Sequence, residues 1–293
     1  FDPNNIDGVW QAVSDGTAWD NSLLLNRATQ GLYPPGSTFK VLTALEYMRE
    51  NSNWEEYHFN CQGEDIFNNV TIHCYNSTVH GEVSLADSVA YSCNTSFANI
   101  GTTLNMDSFH KLCEDFLFNQ SLPYGGTYTQ SSFVLDSSSD KSLIPQTVIG
   151  QGDTQISPLH NALIMSTMAN GGVMMKPYLV DSIENYQGVN VKRFSPSAYK
   201  RIISADEAAQ MTELMKGVVT YGTGSVLNTD AYTVAGKTGT AEYNSEGKSH
   251  SWFVGFSNVE NPDIVVSVVI EDADTSGIRA VNVAKQIFDA YYQ

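Results

Sequence analysis

From Tyr232 onward the chain changes period. The segments Tyr232 to Glu242, Ser251 to Ser257 and Ile264 to Glu271 are rich in Val, Phe, Trp and Thr, and Asn261-Pro262-Asp263 separates the second from the third as a turn. Three such segments in succession predict antiparallel strands. A helix-forming stretch from about Ala280 to Tyr292 then closes the chain and must bury its apolar side against that sheet.

Upstream, the signals are helical. After Tyr33-Pro34-Pro35-Gly36, Val41, Leu42, Leu45 and Met48 recur at helical spacing and predict a helix from about Ser37. Ser84 with Asp87 has the form of a cap on a helix running toward Tyr91 and Ser92. Ser157-Pro158 opens an apolar helix to Met168 that Asn170-Gly171-Gly172 stops, and Ser204 with Glu207 forms a further capping box. Residues 1 to 36 read as an irregular lead-in, and residues 51 to 81 lack sustained periodicity. Residues 119 to 140 read as a surface loop suited to line a substrate groove. The fold class is therefore α/β in the α+β sense: an antiparallel sheet flanked by helices, with an all-helical subdomain, over 1–293 as one domain. At 293 residues and 42% hydrophobic content such a core is affordable.

A formal charge of -17 repels nucleic acid and anionic membrane surfaces, which excludes nucleic-acid partners. No stretch reaches the roughly 18 apolar residues of a membrane-spanning helix. Sequons begin at Asn69, Asn76, Asn94 and Asn119; because a glycan on Asn94 would sit among the residues singled out next, they read as chance matches.

Ser37-Thr38-Phe39-Lys40 puts a serine at the first turn of a helix and a lysine three positions on, so both side chains reach one face. A lysine made neutral by desolvation can take the hydroxyl proton and turn a poor nucleophile into a good one. On its own this is an ordinary cap followed by a surface lysine. Ser92-Cys93-Asn94 adds a second hydroxyl to relay a proton and an amide to hold Lys40. Lys237-Thr238-Gly239-Thr240 lies in a strand, where the lysine and Thr238 hydroxyl can bind a carboxylate, Gly239 leaves room for a ligand along the strand edge, and the Thr240 amide can face an oxyanion. The order S-x-x-K, S-x-N, K-T-G is the set known from penicillin-binding proteins and class A β-lactamases.

The chain resembles class B penicillin-binding proteins over nearly its whole length. The resemblance runs through Leu25-Asn26-Arg27-Ala28, Tyr33 to Lys40, His80-Gly81, Ser92-Cys93-Asn94-Thr95, Gly150-Gln151-Gly152 with Ser157-Pro158-Leu159, and Ala169-Asn170-Gly171-Gly172. It continues through Ala235 to Glu242 and Trp252-Phe253-Val254-Gly255. It implies a serine β-lactamase/transpeptidase-like fold, with Ser37 as nucleophile, Lys40 as its base, Ser92 and Asn94 as second motif, and Lys237 as carboxylate donor. The amides of Ser37 and Thr240 would form the oxyanion hole. The implied reaction is acyl transfer from D-Ala-D-Ala stem peptides of peptidoglycan, with β-lactams as acylating inhibitors, on the outer face of a bacterial membrane. A glycosyltransferase of wall synthesis is an implied partner, and no cofactor is implied. Family members carry a strand pair before the first motif, with a pedestal domain and a membrane anchor upstream; neither the strands nor those parts are expected within these residues.

Other readings stay open. A serine β-lactamase shares the acylation, but no E-x-x-x-N loop lies between Ser92 and Lys237, and class D enzymes lack the asparagine seen at 94. A D,D-carboxypeptidase or a β-lactam sensor would use the same motifs. Cys61, His73, Cys74 and His80 lie close enough for a structural zinc; a Cys61 to Cys74 disulfide and unpaired thiols compete with it. Cys93 reads as a small buried side chain. Trp252 is sheet core that can also wall the cleft beside the third motif, whereas Lys248, His250, Asp136, Asp140 and the Glu271 to Asp274 segment read as solvated.

Overall fold

The structure, a computed structural model, describes residues 3–17, 24–243 and 247–293. In chain order the helices are α1 (Ile6–Ser14), α2 (Lys40–Glu50), α3 (Leu85–Ala90), α4 (Asn94–Thr103), α5 (Met106–Asp115) and α6 (Ile144–Thr147). They continue with α7 (Pro158–Ala169), α8 (Ala205–Thr220), α9 (Ala273–Ser276) and α10 (Ala280–Tyr291). The strands are β1 (His58–Cys61), β2 (Glu64–Phe67), β3 (Val70–His73), β4 (Gly81–Ser84), β5 (Val173–Met175) and β6 (Ser182–Glu184). After these come β7 (Asn190–Arg193), β8 (Ala198–Arg201), β9 (Val234–Glu242), β10 (Ser249–Ser257) and β11 (Val265–Ile270).

The three C-terminal strands form one antiparallel sheet in the order β11-β10-β9, as their composition predicts. β10 alternates its large side chains between two cores. Phe253 packs with Phe288 of α10, Val266 and Tyr232, while Trp252, Val254 and Phe256 face the main helical core. With helices on both faces, nearly every residue of β10 is buried, which explains its unbroken apolar run. β9 is one of the two edge strands, and it packs against the 3-10 turn Gly36–Phe39.

The helical cluster forms around α2. Phe39, at the turn that leads into it, sits among the rings of Phe109, Phe118 and Phe133, with centroids 5.6 to 5.8 Å away. Phe133 and Leu135 belong to the loop 119 to 140, so that loop closes the aromatic cluster behind the first motif and does not line the cleft. The capping boxes at Ser84/Asp87 and Ser204/Glu207 and the Ser157 cap form as expected.

Three segments depart from expectation. The lead-in contains α1, none of whose residues is buried. Residues 51 to 81, read as aperiodic, hold β1, β2 and β3, which with β4 at the end of the segment form two small antiparallel ribbons, β1 with β4 and β2 with β3. The segment 173 to 201 supplies two more, β5 with β8 and β6 with β7. Among the described residues no strand precedes Gly36, and Tyr33 makes only an isolated bridge with Ile156. No helix among them is long and apolar enough to cross a membrane.

Candidate active site

The helix expected from Ser37 begins as a tight 3-10 turn, Gly36–Phe39, that passes into α2 at Lys40. Two glycines make the turn possible. Gly36 has φ 53° and donates its amide to the Gly150 carbonyl at 2.9 Å; Gly150 has φ 82°, and a Cβ there would lie 1.9 Å from the Gly36 carbonyl oxygen. Only glycines allow that approach. The Trp252 indole donates to the Pro34 carbonyl at 3.1 Å and the Thr38 hydroxyl to the Pro35 carbonyl at 2.8 Å, which fixes the chain entering the turn.

Lys40 is completely buried. Its Nζ donates to the Ser92 carbonyl at 2.8 Å, the Ser92 hydroxyl at 3.3 Å and the Asn94 Oδ1 at 2.5 Å, so all three ammonium hydrogens have acceptors. Burial lowers its pKa to about 8, offset in part by Cys93 and Cys74. The first and second motifs therefore meet through the lysine. Ser92 adopts the left-handed conformation, φ 58°, between the end of α3 and the start of α4. Asn94 holds that junction from the other side by donating its Nδ2 to the His73 carbonyl at 2.8 Å.

The third motif runs along β9 with strict alternation: Lys237 and Gly239 are buried, while Thr238 and Thr240 are turned to the cleft. Lys237 is completely buried, donates to its neighbour Thr238's carbonyl at 3.1 Å, and has its pKa driven well down by burial and then by the charge of Lys40. It backs the cleft wall, where a direct ligand contact was expected; the hydroxyls of Thr238 and Thr240 present the surface. Gly239 lines the cleft between the two threonines and also packs inward. A Cβ there would meet the Thr38 methyl and Trp252 Cβ at 3.1 Å, so the glycine lets β9 close onto the first motif. Trp252, 1% exposed, is sheet core and also lines the cleft beside the third motif.

The Thr240 carbonyl points at Gly36, since a Cβ on that glycine would lie 2.5 Å from its oxygen. In a strand the N–H and C=O of one residue leave on the same side, so the Thr240 amide also faces the turn that carries Ser37. The arrangement offers two backbone donors near the Ser37 hydroxyl.

Ser37, Ser92, Asn94, Thr238 and Thr240 line one cleft of about 980 Å³. Sequence reasoning missed three further wall residues. Tyr91 and Tyr221 meet edge to face at 5.7 Å, and Thr223 places its hydroxyl 2.6 Å from that of Thr238. The usable signal was Gly222-Thr223-Gly224 directly after α8: a Cβ at Gly222 would lie 2.2 Å from the Ala90 carbonyl, so this turn packs onto the end of α3.

Two groups expected to be solvated are engaged. His250 stacks on Tyr243 at 4.3 Å and accepts from the Asp272 amide. Glu271 accepts from Arg27 and, at 2.7 Å, from the Tyr33 hydroxyl, and Asp274 accepts from the amide and hydroxyl of Ser249. Lys248 is exposed as expected.

The cysteines also sort differently. Cys61 and Cys74 are unbridged, their sulfurs 3.6 Å apart, and Cys93 joins them with His80, all four donor atoms lying within 4.8 Å of one another. His73 turns away to Glu64 at 3.1 Å.

Comparisons with known proteins agree with this geometry. A family profile described as penicillin binding protein transpeptidase domain matches residues 1–289. A curated relative, the peptidoglycan D,D-transpeptidase PbpA of Mycobacterium tuberculosis, is 30% identical over 307 residues, covering 97% of this chain and 60% of its own length. The chain thus spans about three fifths of that relative. The D,D-transpeptidase domain of a peptidoglycan glycosyltransferase from Eggerthella lenta superposes with a TM-score of 0.83 at 32% identity, covering 96% of this chain and 69% of that one. The imipenem acyl-enzyme complex of M. tuberculosis penicillin-binding protein A gives 0.87 at 28% identity, covering 100% of this chain and 66% of that one.

Proposed function

Because the chain belongs to the penicillin-binding protein transpeptidase family, we propose that residues 1–293 make up one transpeptidase domain in which Ser37 is acylated by D-Ala-D-Ala stem peptides of peptidoglycan and by β-lactams. The observation that carries this reading is the buried Lys40, bonded to Ser92 and Asn94 and pushed down to about 8 one helical turn from Ser37. A lysine with that pKa is neutral in about a tenth of molecules at neutral pH, enough to serve as a general base.

Ser37 Oγ attacks the carbonyl of the penultimate D-alanine as Lys40 takes its proton. The oxyanion is held by the amides of Ser37 and Thr240, and the proton passes through Ser92 to the departing D-alanine nitrogen. An amine from a neighbouring strand then attacks the acyl-serine, the proton path runs in reverse, and Ser37 is released as the cross-link forms. The ligand carboxylate meets the Thr238 and Thr240 hydroxyls, with the buried Lys237 amine behind them. That wall favours anionic acyl donors.

Among the described residues, the carboxylates lining the cleft are Glu242 and Asp274, and Asp274 is bound to Ser249. Neither is a hydrogen-bond partner of Lys40, and this supports an acyl-enzyme that persists over one that water clears quickly. The natural setting that fits is the outer face of a bacterial membrane beside a glycosyltransferase that makes the glycan strand.

The test is incubation with a fluorescent penicillin followed by intact mass over hours. A stable adduct that maps to Ser37 and disappears in Ser37→Ala and Lys40→Ala is expected. Turnover within minutes would make the protein a β-lactamase, and no adduct on folded protein would leave a non-catalytic role.

A further inference from the structure

The thiols that flank the second motif have no part in acyl transfer, yet among the described residues they and His80 are a convergent set of metal donors. Cys61 ends β1, Cys74 follows β3, His80 precedes β4 and Cys93 precedes α4. We propose that Cys61, Cys74, His80 and Cys93 form a Cys3His site for a tetrahedral divalent metal, Zn2+ foremost, which pins the second catalytic motif to the β1–β4 ribbons.

The distances fit. Zinc–thiolate bonds of about 2.3 Å in a tetrahedron put neighbouring sulfurs about 3.8 Å apart, with sulfur to nitrogen slightly less. Here Cys61 and Cys74 sulfurs are 3.6 Å apart, Cys74 and Cys93 sulfurs 3.8 Å, and the His80 Nδ1 is 3.4 Å from the Cys61 sulfur. All three sulfurs are buried, and the His80 ring is oriented by parallel stacking on Tyr91. A three-sulfur, one-nitrogen set selects zinc over the oxygen-loving cations.

A hydrogen-bond donor sits among the three sulfurs. The Thr95 hydroxyl donates to the Cys61 sulfur at 3.2 Å and lies 3.6 Å from Cys74 and 3.5 Å from Cys93. Such outer hydrogen bonds orient ligands and stabilise their charge. The apolar core here is small: these three cysteines and Val83, with Phe59 against them. Two four-residue ribbons joined by loops bury too little to fix their own arrangement, which is where small folds use a metal. A Cys61 to Cys74 disulfide would use only two of the four converging donors.

The metal acts by position, not by touching reacting atoms. Cys93 stands between Ser92, which is held in the left-handed conformation, and Asn94, which binds both Lys40 and the His73 carbonyl. A metal bond at Cys93 fixes the one backbone step that sets both side chains.

The site is tested on the full chain by elemental analysis and X-ray absorption after growth with zinc. One zinc per chain with three sulfur and one nitrogen ligands is expected, with affinity falling at least about tenfold in Cys61→Ser and in His80→Ala. Should those variants not fold, Co2+ titration of metal-stripped wild-type protein decides, through tetrahedral and thiolate charge-transfer bands. Protein that takes up neither ion, or that carries a Cys61 to Cys74 disulfide by mass, overturns the site. The effect on Ser37 rests on the acyl-serine reading. Stripping zinc should slow penicillin labelling about tenfold or more, and zinc should restore it; labelling indifferent to zinc overturns the positioning role. Zinc bound without labelling in any state would sink the acyl-serine reading and leave the site standing, and labelling of a protein that takes up neither zinc nor cobalt would do the reverse.

Discussion

The Lys40 ammonium donates to the Asn94 side-chain oxygen at 2.5 Å, while the nitrogen of the same amide donates to the His73 carbonyl at 2.8 Å. One side chain thus ties the general base to the end of β3. Asn94→Ala removes an acceptor from a fully buried cation, a change that costs about 1.5–3 kcal/mol when the partner is charged. It also releases the ribbon. We expect a lower melting temperature and a rate of penicillin labelling reduced about 100-fold, the scale of a misplaced catalytic group. Thermal melts read beside stopped-time labelling check this, and labelling at the wild-type rate would remove Asn94 from the machinery.

The lysine's proton gives a second expectation. Lys40 has a pKa near 8 through burial, and only its neutral form accepts the Ser37 proton. Labelling should rise about tenfold per pH unit between pH 6 and 7 and level off above pH 8, because the neutral fraction follows that course. Rates at fixed penicillin concentration across pH 6 to 10 decide it. A profile flat from pH 6 to 8 would assign the proton to another group.

The motifs were legible because each rests on short-range signals: Pro34-Pro35-Gly36 before an apolar helix, the Ser84/Asp87 box, and the β-branched run around Lys237. The order of the motifs along the chain then supplied what no single one did. The ribbons were not legible, since a four-residue strand such as β1 carries too little period, and its partner β4 lies twenty residues on across two other strands. For the same reason His73 looked as good a donor as His80, although neighbouring strand positions point to opposite faces. The complete burial of Lys237 on β9 was not legible either, because alternation says which residues share a face and not how deeply that face is covered. The reverse case is α1, whose Ile6, Val9, Trp10 and Val13 have helical spacing that the lead-in reading passed over.

The contact between Gly36 and Gly150 makes a stability prediction with its own control. Gly150→Ala places a methyl where the Gly36 carbonyl sits, in a backbone conformation of φ 82°. Overpacking of about 1–3 kcal/mol adds to a left-handed penalty of about 1–2 kcal/mol. Gly152 has φ 74° but open space, its nearest neighbour 3.6 Å from the added methyl, so Gly152→Ala carries only the second term. Denaturant titration should therefore rank Gly150→Ala well below Gly152→Ala, with Ser37 labelling impaired in the first alone. Equal stabilities would mean the turn yields without strain.

The hydroxyls of Thr223 and Thr238 lie 2.6 Å apart at the mouth of the cleft. Each has one hydrogen to give. If Thr238 gives its hydrogen to a ligand carboxylate, Thr223 must give its own to Thr238, in place of its long 3.4 Å contact with the Ala90 carbonyl. Thr223 is thus a positioning residue, one step removed from the ligand. Thr223→Val keeps the shape and removes the donor, a loss of about 1 kcal/mol or roughly fivefold in affinity. The penicillin concentration giving half-maximal labelling should rise by that factor while the maximal rate stays unchanged, and Thr223→Ser should restore it. A fall in maximal rate with unchanged half-saturation would place Thr223 in the chemical step, because only interactions made in the transition state act there.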